Sequence, residues 1–423
     1  VVYAMAGACV CVFVGGGFTS QWSWVARSGL AAMDARTGEL LPWNPQADAV
    51  VITALAAGGG KVFVGGMFWS LGGQERSNLA AVDSATGLAS PWNPHADNVA
   101  LTMALSDGAL FVGGYFTSIG GSARSYAAKL DTVTGAALPW DPGCDDWVQA
   151  IAAKGDAVYL GGWFRRAGGQ ARSRLAAVDT LTGAATSWAP EPDGPLTALA
   201  VGDSIVAVSG GFAHIGGAAH SDVACVSRLT GRAEDWNLDL DYSGGVNTLG
   251  VAGSLVYAAG GFTYIGGEER QGVAVVDCRD GRILPWRFDL NGMVWTSLVQ
   301  DDGLWLGGAF TVAGHVPAAG LAFLDAPAWL PSVDGTTVAL LSSRPNPARD
   351  IVEVCYTLPA LAPTNLAVFD LAGRRVATIL RGAWREAGSY RESIRTADWR
   401  PGCYFVRLDA GSASATTKMT VLP

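Results

Sequence analysis

The chain has 423 residues, half of them hydrophobic and 15% charged, with 56 glycines and a net charge of −9. An acidic balance repels phosphate backbones and excludes nucleic acid as a partner, and no stretch free of Gly and Asp is long enough for a membrane-spanning helix. Glycine permits turns without filling a core, so abundant Gly beside abundant apolar residues implies many short strands joined by turns.

The chain starts at Val1 inside a strand-like pattern, with no signal peptide, and reads as mature, processed material. A Gly-Gly pair followed closely by Phe recurs at Phe18, Phe68, Phe116, Phe164, Phe212, Phe262 and Phe310, at intervals of 50, 48, 48, 48, 50 and 48 residues. Each copy carries four pieces. The first is V-x-A-L-like, as at Ile52–Leu55 and Val148–Ile151. The second is the V-F-V-G-G run, as at Val62–Gly66. The third is L-A-A-V-D, as at Leu79–Asp83. A Thr-Gly turn precedes the fourth, built around Trp43, Trp92, Trp140, Trp188, Trp236 and Trp286, with Trp329 closing a shortened seventh copy. Short Val-, Leu- and Phe-rich pieces bounded by Gly, Pro, Asp and Asn are strands. Four of them per repeat describe a β-propeller blade, and seven copies describe a seven-bladed β-propeller over residues 1–330. The repeated Trp and Phe are the bulky side chains expected between blades.

Arg76, Arg124, Arg172 and Arg270 lie eight residues after the Phe, and Asp83, Asp131, Asp179 and Asp277 fifteen after it. The fifth copy has His220 and Ser227 instead, and the seventh keeps Asp325 but has Ala318. The repeated charges predict an Arg–Asp contact tying strands together within or between blades, a structural feature because it repeats round the ring.

The order Gly-Gly, V-D, T-G, Trp resembles kelch repeats. The longer G-G-x-F-T-x-I-G-G-x-x-R-S, at Gly113–Ser125, resembles bacterial Delta-sixty propeller repeats more closely. Both resemblances imply a scaffold or binding surface.

Pro327, Pro331 and Gly335 mark a linker, and residues 331–342 read as linker or as the first strand of a second domain. Over 343–423 the predicted strands are Ile351–Leu358, Asn365–Asp370, Arg375–Ile379, Cys403–Leu408 and Thr417–Leu422. They suit an immunoglobulin-like β-sandwich, so the chain as a whole is expected to be all-β. The stretch resembles the C-terminal domains of secreted bacterial proteins, the type IX sorting and flagellar-hook-capping types. The resemblance is carried by Pro345–Pro347, Tyr356–Pro359, Phe369–Arg374 and Pro401–Leu408. It implies export to the exterior of a bacterium with a double envelope. Cys355 and Cys403 have a spacing that suits an inter-sheet disulfide, but alternation turns both outward. The segment Val338, Ala339, Leu340, Leu341 looks like an eighth V-x-A-L strand. It is either the first sandwich strand or a strand added to a propeller.

No catalytic motif is present. His95, His214, His220 and His315 lack H-E-x-x-H spacing, and there is neither a G-x-S-x-G elbow nor a P-loop. Asp48, Asp97 and Asp145 are candidates for calcium or for hydrogen bonds to their own turn backbone; no cofactor is predicted. Seven cysteines without C-x-x-C read mostly as isolated buried thiols. Trp22, Trp24, Trp69, Trp147, Trp163, Trp295 and Trp305 are extra to the repeat, and either stack on ligands or fill space between blades. The expectation is a non-enzymatic secreted structural or adhesive protein of the cell exterior, partnered by itself or by other surface proteins. The alternatives are a glycan- or peptide-binding propeller, and a hydrolase or lyase with a loop-built site.

Overall fold

The structure, a computed structural model, describes residues 1–422 apart from 9–10, 19–25, 36, 242–243, 286, 301–302, 315, 326–338, 345–350, 359–361, 372, 386–387 and 412. It is all-β, and it divides into two compact units, Val1–Gln300 with Trp305–Phe323, and Leu324–Pro423 with the short stretch Asp301–Leu304.

In the first unit each copy of the repeat folds into its own antiparallel sheet. The fourth copy is typical: Val148–Lys154, Ala157–Gly162 and Leu175–Asp179 pair in that order, and a two-residue hairpin (Arg166–Ala167 with Gln170–Ala171) follows the second strand. The middle strand is buried along its whole length because it is covered on both faces. Among the described residues there are seven such sheets. The first strand of each touches the first strand of the next, and Met293–Gln300 of the seventh touches Val2–Ala8 of the first. Strands that meet across neighbouring sheets must lie nearest the axis, so the first strand of every copy is the inner one and the ring is closed. This is a β-propeller.

Glycine is required where backbone crosses backbone. A Cβ on Gly162 would lie 2.1 Å from the Trp147 carbonyl oxygen, and one on Gly113 would lie 2.7 Å from Val148 of the next copy. The second glycine therefore admits the start of its own first strand in every copy; the first admits the neighbour's buried residue, and is replaced by Ser209 and Ala259 in the fifth and sixth copies. The pairing of first and second strands slips by one residue at the same place in six copies, as between Val148 and Ala150. A bulge there re-aims the side chain between the two, Gln149 in the fourth copy.

The expected fourth strand is corrected. It is reduced to a single bridge, Val82↔Ala89 in the second copy and Val178↔Ala185 in the fourth. Proline before the Trp, as at Pro91 and Pro139, removes a donor that a longer ladder would need, but the fourth and fifth copies have Ser187 and Asp235 there and keep only one bridge as well.

The second unit is a sandwich. One sheet orders Ala339–Arg344, Ile351–Leu358 and Gly388–Arg395; the other orders Arg375–Arg385, Ala362–Asp370, Gly402–Ala410 and Ala413–Val421. Val354, Tyr356 and Leu358 from one sheet meet Val406, Leu408 and Met419 from the other in one core. The strand Ala339–Arg344 pairs with Ile351–Leu358, Ala339 opposite Thr357 and Leu340 opposite Tyr356. Of the two readings of Val338–Leu341, the first sandwich strand is the one observed for Ala339, Leu340 and Leu341; Val338 lies outside the described residues. That strand also runs two residues past the expected boundary at 342. Gly388–Arg395 is a strand that the sequence pattern does not predict, because only Tyr390 and Ile394 give it an apolar face.

Candidate functional site

The repeated polar residues have separate tasks, which corrects the expected Arg–Asp pairing. Arg76, Arg124, Arg172 and Arg270 donate to the carbonyls of Ser90, Leu138, Thr186 and Leu284, each fourteen residues on, at 2.7–3.1 Å. Arg27 does the same to Leu41. His220 meets the carbonyl of Glu234 at 2.7 Å and so does the same work in the fifth copy. Asp83, Asp131 and Asp179 instead close the Thr-Gly turn, while Asp277, whose turn has no Thr, pairs with Arg279. Asp179 Oδ1 accepts from Leu181 N, Thr182 N and Thr182 Oγ1, and Asp83 and Asp131 repeat this with Thr86 and Thr134. Ser227 accepts from Thr230 N in the fifth copy. In the fifth copy His220 and Ser227 thus fill the two tasks separately. Removing a guanidinium strands a carbonyl that had a charge-assisted donor, worth about 1.5–3 kcal/mol. Arg172→Ala is therefore expected to lower the melting temperature, and Arg172→His to recover much of the loss. Equal losses in the two variants would refute this reading.

The aspartates that follow the Trp reach further than their own turn. Asp97 accepts from Thr117 N and Ser118 N, Asp145 from Arg165 N and Arg166 N, and Asp193 from Ala213 N and His214 N. Asp48 is part of the longer strand Ala47–Gly58, where it pairs with Ser70. Partial burial opposes the charge of Asp193, but hydrogen bonds from His214 and Ala213 outweigh it and hold the carboxyl at about 2. The backbone N–H of Thr86, with its hydroxyl, lowers Asp83; the same pair from Thr134 lowers Asp131. A carboxyl held below its unfolded value stabilises the fold above about pH 4, and that stability is lost as pH falls through the folded value. The melting temperature should thus fall steeply between about pH 4 and pH 2. A flat profile to pH 2 would contradict it. Among the described residues no three of His, Cys, Asp and Glu come together to hold a metal ion.

The repeat tryptophans join neighbouring copies. Nε1 of Trp43, Trp92, Trp140 and Trp188 donates to the backbone carbonyl of Asp83, Asp131, Asp179 and Ser227 in the next copy, at 2.8–3.0 Å. Trp236 donates to Cys278 instead. Each of the first four also meets an aromatic ring of its own copy, as Trp140 meets Phe111 at 5.2 Å. Trp286 lies outside the described residues.

The cysteines hold a feature that the sequence reading missed. Cys225, on the third strand of the fifth copy, and Cys278, just past the third strand of the sixth, form a disulfide between buried positions. The reading of isolated thiols is corrected there, while Cys144 stays a buried thiol whose pKa burial pushes up. Cys403 is a free thiol, so no Cys355–Cys403 bridge forms. Cysteine near the end of the third strand in two neighbouring copies was the available signal; it was masked because one lies on the strand and the other just after it.

The extra aromatics divide. Trp305 is buried against Phe323 and fills core. Trp22 and Trp24 lie outside the described residues. Trp69, Trp147, Trp163 and Trp295 are exposed. Trp147 immediately precedes the inner strand of the fourth copy, and Trp163 immediately follows its second strand; Trp163 N donates to the Trp147 carbonyl. The ring of Trp147 stands 4.5 Å from that of Tyr115 of the third copy, at 70°. Trp163 Nε1 donates to Gln149 Oε1 at 2.9 Å. In the second copy the strands Ala47–Gly58 and Lys61–Leu71 run long, and their corresponding end exposes Val50, Met67 and Trp69. On the other side of the ring, Tyr3 of the first copy meets Trp295 of the seventh at 5.7 Å. The aromatics thus gather at one end of the inner strands.

These features define a β-propeller with an exposed aromatic end and a separate sandwich unit. Residues 344–422 match the family model of the secretion system C-terminal sorting domain. A tail of this kind marks the protein for export by the type IX system, and a disulfide agrees with an oxidising destination. No curated protein matches the chain significantly. Among solved structures, the mitotic checkpoint complex matches at TM-score 0.50 and 13% identity, over 76% of this chain and 88% of that one. A computationally designed protein, Ika8, matches at TM-score 0.46 and 16% identity, over 76% and 96%. The extracellular domain of a one-component system from B. thetaiotaomicron matches at TM-score 0.48 and 11% identity, and this chain spans 57% of it. At these identities the first shows the fold alone. No helix among the described residues is long and apolar enough to cross a membrane.

Proposed function

We propose that this protein is a non-enzymatic adhesive protein of the bacterial cell exterior, which binds through the aromatic end of its propeller. The observation that carries the reading is the pair Trp147 and Trp163, 43% and 46% exposed, the first held against Tyr115 and the second by Gln149. Large rigid aromatics standing in water are a cost to a soluble protein unless a partner covers them. The sorting tail supports a place outside the cell, and the resemblance to kelch and Delta-sixty repeats suits a scaffold that offers a surface. The polar residues of the repeat are occupied by structural bonds, which favours binding over catalysis. Purified protein should co-sediment with bacterial outer-envelope fragments, and the Trp147→Ala, Trp163→Ala double variant should lose about tenfold or more in retention, as expected for central aromatic anchors. Equal retention would refute the assignment.

A further inference from the structure

We infer that the ligand of the aromatic end is neutral polysaccharide, an inference that rests on the adhesive reading above and names what it grips. The rings stand where the fold does not require them. The position of Trp163 is taken by Gly17, Gly211 and Gly261 in other copies, and that of Trp147 by Gly245 in the sixth. Those copies build the same sheets without them. An aromatic ring kept at such a position serves something outside the propeller.

The two indoles are also held in place. Tyr115 fixes Trp147 by an edge contact, and the bulged Gln149 fixes Trp163 by accepting its ring N–H. Flat faces already set in position lose little entropy on binding. A pyranose offers one face of C–H groups, positive at the hydrogens, which suits the negative face of an indole in the way an aromatic edge does. Its hydroxyls then need fixed polar groups at the side. Gln149 supplies one. Its carbonyl is held by Trp163, and no described residue accepts from its amide nitrogen. A protein partner would favour one continuous apolar patch with polar groups confined to its rim. Here Trp147 follows Asp145 and Asp146, and Trp163 is followed closely by exposed Arg165 and Arg166. Two carboxylates and two guanidinium groups cancel in formal charge, so these stretches offer a charged polymer no strong attraction of either sign, which favours a neutral one.

The test uses the whole protein in native electrophoresis through gels containing a mixed-linkage β-glucan, a galactomannan or an arabinoxylan. Retardation in at least one, reduced about tenfold or more by Trp147→Ala with Trp163→Ala, is expected. Trp384→Ala, an exposed tryptophan of the sandwich, should migrate as the parent does. Unchanged circular dichroism and melting temperature establish that the double variant is folded; if it is not, Gln149→Ala provides the same comparison. No retardation in any gel, or retardation equal in all variants, overturns the inference. A second arm separates it from the adhesive reading. Envelope fragments treated with periodate, which cleaves sugar diols, should lose aromatic-dependent binding, while protease-treated fragments should keep it. The reverse result would overturn the polysaccharide and leave adhesion standing; no aromatic-dependent binding to either would overturn both.

Discussion

Replacing Trp140 with alanine is expected to destabilise the propeller by about 3–5 kcal/mol, the cost of emptying a buried aromatic site. Trp140 is 1% exposed, touches Phe111, and donates across the gap to the Asp179 carbonyl. The substitution therefore removes packing within the third copy and leaves a carbonyl of the fourth without its donor. Trp140→Phe separates the two effects. It keeps most of the packing and removes the bond, so a loss of about 1–2 kcal/mol is expected. Thermal or denaturant unfolding measures both. Equal effects for the two variants would mean that the N–H bond, not the packing, dominates. No effect from either would contradict the role of the repeat tryptophans in joining copies.

Loss of the Cys225–Cys278 disulfide should have a comparable effect. The bridge spans 53 residues of chain and ties the fifth copy to the sixth. A loop of that length corresponds to about 4 kcal/mol of lost chain entropy in the unfolded state, on the entropic model of cross-links. The double substitution Cys225→Ala, Cys278→Ala should lower the unfolding midpoint accordingly, and reductant should lower it for the parent but not for the variant. If reductant leaves the parent unchanged while mass analysis shows the bond broken, the bridge contributes nothing to stability.

The ring was legible because a propeller repeats its physics. The same close approach forces Gly at Gly66, Gly114 and Gly162, and the same cavity between sheets takes Trp92, Trp140 and Trp188, so the fold writes a period into the sequence. What the sequence misled about was partnership. Arg76 and Asp83 recur in the same copies, yet Arg76 serves the Ser90 carbonyl and Asp83 serves Thr86. Backbone acceptors leave no trace in sequence, and a side chain that bonds one looks unpaired. The fourth strand differs for a related reason: its apolar residues and Trp are spaced as in a strand, while its backbone makes only one bridge to the third, with or without a proline before the Trp. The candidate site was half visible. The surplus of Trp showed, but burial alone separates Trp305 from Trp147, and the link from Trp147 to Tyr115 crosses from one copy to another.

The most direct measurement of the central claim is hydroxyl-radical footprinting of the protein alone and bound to outer-envelope fragments, since tryptophan, tyrosine and methionine are among the side chains most reactive to the radical. Binding through the propeller end predicts protection of Trp147, Trp163 and Tyr115, with Trp384 of the sandwich oxidised equally in both states. Protection confined to Trp384, with the propeller aromatics still fully reactive, would contradict it.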